Sequence, residues 1–272
     1  MTPPSASPDV SPIALPLRSV LTAFAVDVAL AITLSFSMLM AGVFGWAAWR
    51  GVQLARSGTL DAQAIQANLG TPPVLFLIMA TLVSTGGTAI LLYAWRRRAS
   101  LVERQESLSR LRHARTWWWA LAAGLATFVF STLMSAGGRA LGLDLKPSNL
   151  DLIEAGFAQY PIFLPLFAVV LAPLYEELLF RRVLFGRLWQ AGWPVLGLVL
   201  SSVVFAFVHE LPGLNGKPPT STLFLILVYA GMGAIFAWVY QHTRTLWAPI
   251  TAHILNNAIA LAVLQVYGGA QV

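Results

Sequence analysis

Residues 161–185 read PIFLPLFAVVLAPLYEELLFRRVLF, and this stretch decides the fold that we expect. It is longer than the roughly 20 apolar residues that carry a helix across a hydrocarbon core about 30 Å thick. It nevertheless contains two adjacent glutamates, Glu176 and Glu177. Burying both costs about 5 kcal/mol or more on insertion scales, so a partner or water must offset that free energy. The stretch therefore predicts a membrane-spanning helix that contains a polar site.

The whole chain has the composition of a membrane protein. Of its 272 residues, 57% are apolar and only 10% are charged, whereas soluble domains carry roughly 25% charged residues. Apolar runs of span length recur along the chain, which predicts an all-α, polytopic membrane helical bundle of about seven (six to eight) transmembrane helices. The predicted spans are residues 20–49, 73–95, 117–137, 161–185, 193–208, 223–240 and 246–266.

These spans divide the chain into three regions. Residues 1–18 are rich in Pro and Ser and are predicted to form a disordered N-terminal tail. Residues 19–145 are predicted to hold the N-terminal transmembrane helices and a cationic cytoplasmic loop near residues 96–116. Residues 155–270 are predicted to form the core that carries the polar site. The first apolar run is about twice as long as that of a cleavable signal peptide, so we expect it to be a span.

The positive charge has a membrane explanation. The net charge is +6, but the basic residues lie between apolar runs, so membrane lipid is an expected partner and nucleic acid is not. With a cytoplasmic N-terminus, twelve Lys and Arg residues lie inside and five outside. Because cationic residues favour the cytoplasmic side, we expect a multi-pass plasma-membrane protein with its C-terminus outside. The sequence has no cysteine, which excludes thiolate metal sites and a cysteine nucleophile.

Local spacing predicts different surroundings for the two glutamates. Glu177 precedes Arg181 by four residues, so the two side chains can pair on one helical face. Glu176 points about 100° away and is free to meet water or a neighbouring helix. Pro173 removes a backbone hydrogen bond just before the pair, and the kink that it favours would help to admit water.

Two other spans carry polar residues at comparable depth. His209 follows the fifth predicted span, and His253 and Asn257 share one face of the seventh because they are four residues apart. At a rise of about 1.5 Å per residue, all of them fall inside a core about 30 Å thick and around its middle. We therefore expect these side chains to converge with Glu176 on one pocket.

Three short motifs resemble the CAAX-protease and bacteriocin-processing (CPBP) family of intramembrane endopeptidases, also called the abortive-infection family. The resemblance covers roughly residues 160–266. Each motif alone is weak, but three in order on three apolar segments are fairly specific. The motif of two glutamates and an arginine is matched by Glu176, Glu177 and Arg181, Phe-x-x-x-His by Phe205 and His209, and His-x-x-x-Asn by His253 and Asn257.

The resemblance implies an intramembrane endopeptidase that hydrolyses a peptide bond of a membrane-embedded or lipidated peptide or protein. Such chemistry needs an activated water and a stabilised oxyanion. The family picture implies that Glu176 is the general base for a water also held by His209. His253 and Asn257 would donate hydrogen bonds to the oxyanion. Prenylated C-terminal motifs, leader peptides and membrane proteins are equally open as substrates.

The same resemblance implies supporting residues and leaves a metal open. Glu177 and Arg181 would brace the helix of the general base. Glu176, His209 and His253 are also the two-histidine, one-carboxylate set common at catalytic zinc. We favour water activation with no required cofactor, and a divalent metal such as Zn²⁺ is the alternative.

Two other classes of function stay open at this stage. A non-catalytic scaffold or immunity protein of the same fold would keep the motifs without turnover. A proton-coupled transporter would string polar residues along a path, whereas here they cluster in the last four spans, which favours the peptidase. Outside the motifs, Glu210 lies beside a Pro-Gly turn and is expected at a solvated mouth. Asp27, alone in the first span, is expected to snorkel or to bond a neighbour.

Overall fold

Residues 15–58, 61–213 and 216–268, which a computed structural model describes, form ten helices. Most of the predicted tail, residues 1–18, lies outside the described residues, and the first helix already includes its last two positions. In chain order the helices are α1 (Leu17–Arg56), α2 (Ala62–Asn68), α3 (Val74–Arg96), α4 (Leu101–Arg110), α5 (Ala114–Ala140), α6 (Leu150–Gln159), α7 (Phe163–Gln190), α8 (Pro194–His209), α9 (Pro219–Thr243) and α10 (Trp247–Tyr267).

Six of these helices, α1, α3, α5, α7, α9 and α10, are long and apolar enough to cross a membrane. The expected all-α polytopic bundle is therefore confirmed. The seventh predicted span, residues 193–208, is the shorter helix α8, whose 16 residues extend only about 24 Å against a core of about 30 Å. Helix α8 packs along α9 and against α7, so its last residue lies within the bundle. The predicted orientation and the three-region division stay predictions.

A buried carboxylate joins the first helix to two others. Asp27 on α1 is fully buried, and its two oxygens accept hydrogen bonds from Arg96 at the end of α3 and Arg187 near the end of α7. The two guanidinium groups compensate the desolvation of one carboxylate. The expectation that Asp27 bonds a neighbour is confirmed, and the pairs tie α1 to the helix that carries both glutamates.

The predicted cationic loop is partly helical. Helix α4 starts with a capping box, in which the Ser100 hydroxyl accepts from the Glu103 backbone N–H and the Glu103 carboxylate accepts from the Ser100 N–H. The same carboxylate receives two hydrogen bonds, of 2.8 and 2.9 Å, from the Arg182 guanidinium of α7. These bonds lower the pKa of Glu103 from 4.5 to about 2. The connection is thereby fastened to the end of α7.

Helix α7 departs from α-helical geometry on both sides of its two glutamates. The backbone is π-helical over Leu166–Leu171 and Leu178–Phe185, with an α-helical stretch, Ala172–Glu177, between them. Pro173 in that stretch has no N–H to donate to the turn before it, which accounts for the first irregularity. The predicted local defect before the glutamates is thus confirmed in the form of a π-helical turn. Wide turns of this type are frequent at functional sites.

Glycines allow the helices around the site to approach closely. A Cβ atom at Gly124 on α5 would lie 2.8 Å from the carbonyl oxygen of Ala252 on α10. A Cβ atom at Gly231 on α9 would lie 2.3 Å from the Phe130 ring of α5. Both distances are below ordinary van der Waals contact. Gly124 therefore requires glycine because its neighbour is backbone, whereas a side chain at position 231 would force the Phe130 ring to move. The approach fixes α10, which carries one predicted site histidine, against α5.

Candidate active site

Three helices bring one carboxylate and two imidazoles together. Glu176 lies in the middle of α7, His209 is the last residue of α8, and His253 lies on the second turn of α10. The Glu176 Oε2 atom is 3.6 Å from His209 Nε2 and 3.9 Å from His253 Nε2. The convergence expected from the depths of these residues is therefore observed. Both separations exceed a direct hydrogen bond, so the carboxylate oxygen faces the two ring nitrogens across a small gap.

Hydrogen bonds to the other ring nitrogens orient both imidazoles. His209 Nδ1 lies 2.9 Å from the carbonyl oxygen of Phe205, which can only accept, so Nδ1 carries a hydrogen. His253 Nδ1 lies 2.8 Å from Glu177 Oε1, and an ionised carboxylate likewise only accepts. In a neutral imidazole the opposite nitrogen, Nε2, then has a free lone pair. Both rings therefore present Nε2 toward Glu176.

Glu177 links the arginine to one of these histidines. Its Oε2 atom lies 2.9 Å from Arg181 Nε, which is the ion pair that the four-residue spacing predicts. This contact is an ion pair and not a hydrogen bond, since neither Arg181 Nε nor Glu177 Oε2 has a hydrogen-bond partner among the described residues. Its other oxygen accepts from His253. Sequence reasoning gave Glu177 only the arginine, because no local spacing reports a contact between residues 76 positions apart.

Aromatic rings enclose the arginine of this network. Arg181 is 1% exposed, and its guanidinium carbon lies 4.8 Å from the centroid of the Phe205 ring and 5.4 Å from that of Phe236. Cation–π attraction at these distances compensates part of the desolvation of the guanidinium. Phe205 also packs against the His209 ring, with 4.2 Å between centroids. The phenylalanine of the second motif is therefore a packing residue that touches both the arginine and the histidine, as expected of it.

Two further rings lie against the histidines and were missed by sequence reasoning. Tyr229 on α9 packs against His209 with ring centroids 4.8 Å apart. Phe236, about two turns later on the same helix, stacks on His253 with ring centroids 4.7 Å apart. The spacing of seven residues places both rings on one face of α9. A stripe of this kind is common in helix cores, so it carried no signal of a site.

The amide of Asn257 is bound to the backbone of α7. Its Nδ2 atom donates to the carbonyl oxygen of Ala168 at 2.9 Å, and its Oδ1 atom accepts from Asn256 at 3.0 Å. In a π-helical register the Ala168 carbonyl would pair with the N–H of residue 173, which is proline and has none. Asn257 supplies the missing donor. One of its two Nδ2 hydrogens is thus committed to structure, and the other remains available.

The exposed fractions show how the site opens. The side chains of Glu176 and His209 are 15% and 18% exposed, whereas those of His253 and Glu177 are 4% and 0% exposed. Solvent or substrate therefore reaches the carboxylate and the first imidazole more easily than the second. The buried members of the network are held by partners, and the exposed members face the gap.

The ligating groups do not form a metal site. Among residues 15–58, 61–213 and 216–268, no group of three or more His, Cys, Asp or Glu side chains is disposed to hold a metal ion. The donor types of Glu176, His209 and His253 suit zinc, but their arrangement here does not fit one. No catalytic step is therefore assigned to a metal.

The expectation for Glu210 is wrong. Its side chain is 1% exposed and not solvated, and its carboxylate accepts a hydrogen bond from Lys217 Nζ at 2.7 Å and another from the Ser148 hydroxyl. The Pro-Gly turn that suggested exposure is itself exposed, but the partners Lys217 and Ser148 cover the Glu210 carboxylate. Glu210 directly follows His209, so the cluster fixes the end of α8.

Comparisons with known proteins concern the part of the chain that contains this site. The sequence model of the Rce1-like family of type II CAAX prenyl endopeptidases matches residues 158–259. Over 144 residues the chain is 31% identical to YdiL of Bacillus subtilis (strain 168), whose name proposes a membrane peptidase; the match covers 53% of this chain and 54% of that protein. Over 147 residues it is 30% identical to the membrane-embedded CAAX protease MroQ of Staphylococcus aureus (strain USA300), covering 53% and 56%.

The chain thus spans about half the length of the curated relatives that it matches. No solved structure matches it significantly. The matched residues, 158–259, include the three motifs and every predicted site residue. The family resemblance inferred from those motifs is confirmed.

Proposed function

Because residues 158–259 belong to the CPBP family of type II CAAX prenyl endopeptidases, we propose that this chain is an intramembrane endopeptidase of the glutamate type. Its substrate class is a membrane-embedded or lipidated peptide or protein. The observation that carries the proposal is the position of Glu176 Oε2, 3.6 and 3.9 Å from the Nε2 atoms of two histidines. A base and two orienting groups face one gap that is partly open to solvent.

The first step uses the Glu176 carboxylate as general base. A water molecule in the gap hydrogen-bonds to Glu176 Oε2 and to the free lone pair of His209 Nε2. Its oxygen attacks the peptide carbonyl carbon while one of its protons passes to Glu176. The carbonyl oxygen becomes the oxyanion of a tetrahedral intermediate. Glu176 then delivers that proton to the leaving nitrogen, the C–N bond breaks, and a carboxylic acid and an amine are released.

His253 and Asn257 stabilise the oxyanion in this proposal. For His253 to donate from Nε2 while Nδ1 donates to Glu177, the ring must carry both hydrogens and a positive charge. Asn257 offers its second Nδ2 hydrogen, the first being bound to Ala168. Preorganised donors of this kind are each worth roughly 10²- to 10³-fold in rate.

The test compares purified wild type with Glu176→Gln, reconstituted in lipid vesicles with fluorogenic membrane peptides. Gln keeps the size of the side chain but removes the base, so the cleavage rate should fall by about 10²- to 10⁴-fold, with the fold unchanged by circular dichroism. Cleavage by wild type should resist a chelator. Cleavage by Glu176→Gln at the wild-type rate would exclude this mechanism. Wild-type protein that cleaves nothing would favour a non-catalytic scaffold, and loss of cleavage in chelator would favour a metal.

A further inference from the structure

A cationic cavity of about 330 Å³ lies at one end of the bundle, outside the candidate active site. It opens where α4 leads into α5 and where α9 ends. The groups that line it include Arg110, His113 and Arg115 from the α4–α5 connection and His242 from the last turn of α9. These helix ends are the boundaries of candidate membrane spans, so the cavity lies at the level of lipid headgroups.

The charges around this cavity favour an anion. Glu106 offsets part of the positive charge, because its Oε1 lies 3.3 Å from Arg110 Nη2 and 3.8 Å from Arg244 Nη1. Those two arginines and Arg115 still outnumber that carboxylate. Helix α5 begins at Ala114, its N-cap residue His113 makes no side-chain capping bond, and the helix dipole adds positive potential at that end.

A separate apolar crevice of about 460 Å³ lies next to the cationic cavity, between α5 and α9. Trp119 lines both cavities. Beyond it the crevice is lined by Ala122 and Ala126 of α5 and by Ala234 and Ile235 of α9, among others. Along α5 the crevice runs about 10 Å, from Trp119 to Ala126. Its walls contain no group that would favour a charged occupant.

Two tryptophans form the boundary between the cationic and apolar parts. Trp119 and Trp238 contact edge to face with 5.3 Å between centroids. His242 lies against both, at 4.7 Å from Trp119 and stacked on Trp238 at 5.1 Å. Tryptophan is enriched where headgroups meet acyl chains. The same pair of helices therefore presents a polar end and an apolar end in the order in which a lipid presents them.

We propose that the two cavities form one binding site for an anionic phospholipid. The phosphate lies among Arg110, Arg115 and the N-terminus of α5, and one acyl chain lies in the crevice between α5 and α9. Basic pockets between transmembrane helices bind headgroups in this way. Charge complementarity selects an anionic headgroup, and the adjoining crevice selects a lipid over a free phosphate ion. The bound lipid would brace α5, which packs against α10 and its site histidine.

Lipid binding to the full-length protein in neutral detergent tests this site, with dissociation constants measured by native mass spectrometry. The probes are phosphatidylglycerol, phosphatidylcholine and inorganic phosphate. Wild type should bind phosphatidylglycerol at least tenfold more tightly than phosphatidylcholine. The double variant Arg110→Ala/Arg115→Ala should raise the dissociation constant for phosphatidylglycerol about 25-fold, since each juxtamembrane cation contributes about fivefold to the affinity. The double variant Arg110→Lys/Arg115→Lys should restore most of the affinity.

Two matched variants separate a defined site from general charge. Arg98→Ala/Arg112→Ala removes two exposed arginines that do not line the cavity, one before α4 and one after it, and it should leave the affinity for phosphatidylglycerol within twofold. Ala126→Trp fills the crevice and should weaken the binding of phosphatidylglycerol without changing the binding of inorganic phosphate. Equal losses in both arginine pairs would overturn the proposal. An Ala126→Trp protein that binds the lipid normally, with phosphate as an effective competitor, would assign the cavity to a free anion and would also overturn it.

Discussion

Replacing Glu177 with Gln probes the buried network that holds the second histidine. Glu177 is fully buried and contacts Arg181 at 2.9 Å and His253 at 2.8 Å. The change leaves a guanidinium that is 1% exposed without its counter-charge. Removing one partner of a buried ion pair costs about 3–5 kcal/mol, and we expect the lower value because an unfolded state in the membrane also finds partners. The free energy of unfolding should therefore fall by about 3 kcal/mol.

Activity should fall for a second reason. In Glu177→Gln the imidazole of His253 loses the carboxylate that accepts from its Nδ1 and fixes its ring. By analogy with a catalytic triad whose acid is replaced by its amide, the cleavage rate should fall by about 10²- to 10⁴-fold. Adding Arg181→Met should recover much of the stability, because both buried charges are then gone. It should not recover the rate, because the histidine still lacks its carboxylate.

The chain offers a matched control for these variants. Glu106 and Arg110 form an ion pair with the same four-residue spacing, 3.3 Å apart, but both side chains are 43% exposed. Glu106→Gln should change stability by less than about 0.5 kcal/mol. Unfolding in denaturing detergent and peptide cleavage are measured on all four proteins. A Glu177→Gln protein as stable as wild type would refute the buried network, and a double variant with restored cleavage would limit Glu177 to bracing the helix.

Three other changes test separate parts of the molecule. Glu210→Gln should lower the free energy of unfolding by about 1–3 kcal/mol, because the partly buried Lys217, whose side chain is 10% exposed, loses its counter-charge; wild-type stability would contradict the cluster. Gly231→Leu should cost about 1–3 kcal/mol by overpacking, whereas Gly45→Leu, where a Cβ meets nothing within 4 Å, should be nearly neutral; equal effects would contradict the close approach. The pKa of Glu103, lowered to about 2 by hydrogen bonds from Arg182, implies stabilisation that is fully present above about pH 4.5 and lost as the pH falls through about 2. In Glu103→Gln the free energy of unfolding should fall less steeply between pH 6 and pH 3 than it does in wild type. An equally steep fall in both proteins would argue against the contact.

The spans and the polar positions within them could be predicted because both follow from strong, local physics. Burying a carboxylate in lipid is costly, so Glu176 and Glu177 inside an apolar run point to a site. The helical repeat alone pairs Glu177 with Arg181. Depth counting placed Glu176, His209 and His253 within the same membrane core without fixing their separation, and the structure brings the Nε2 atoms of the two histidines to 3.6 and 3.9 Å from Glu176 Oε2. Each of these inferences used only distances along the chain.

What could not be predicted depends on contacts between distant segments. The bond from His253 to Glu177 joins two helices, and no periodicity encodes it. The burial of Glu210 needs Lys217 and a hydroxyl from another connection, so the local turn signal gave the opposite answer. The two arginines on Asp27 likewise come from α3 and α7. In each case a charged side chain gained, through tertiary packing, a partner that its local sequence does not reveal.

The adjacency of the two glutamates has a geometric reason. An imidazole has two nitrogens on different edges of one ring, and His253 directs Nδ1 to Glu177 and Nε2 toward Glu176. Adjacent residues on a helix point about 100° apart, so their carboxylates can approach one ring from two directions. A spacing of three or four residues would instead place both on one face, a turn of about 5.4 Å apart. One glutamate can then hold the ring while the other faces His209 and the gap, so that in the proposed mechanism one carboxylate positions the histidine and the other acts as the base.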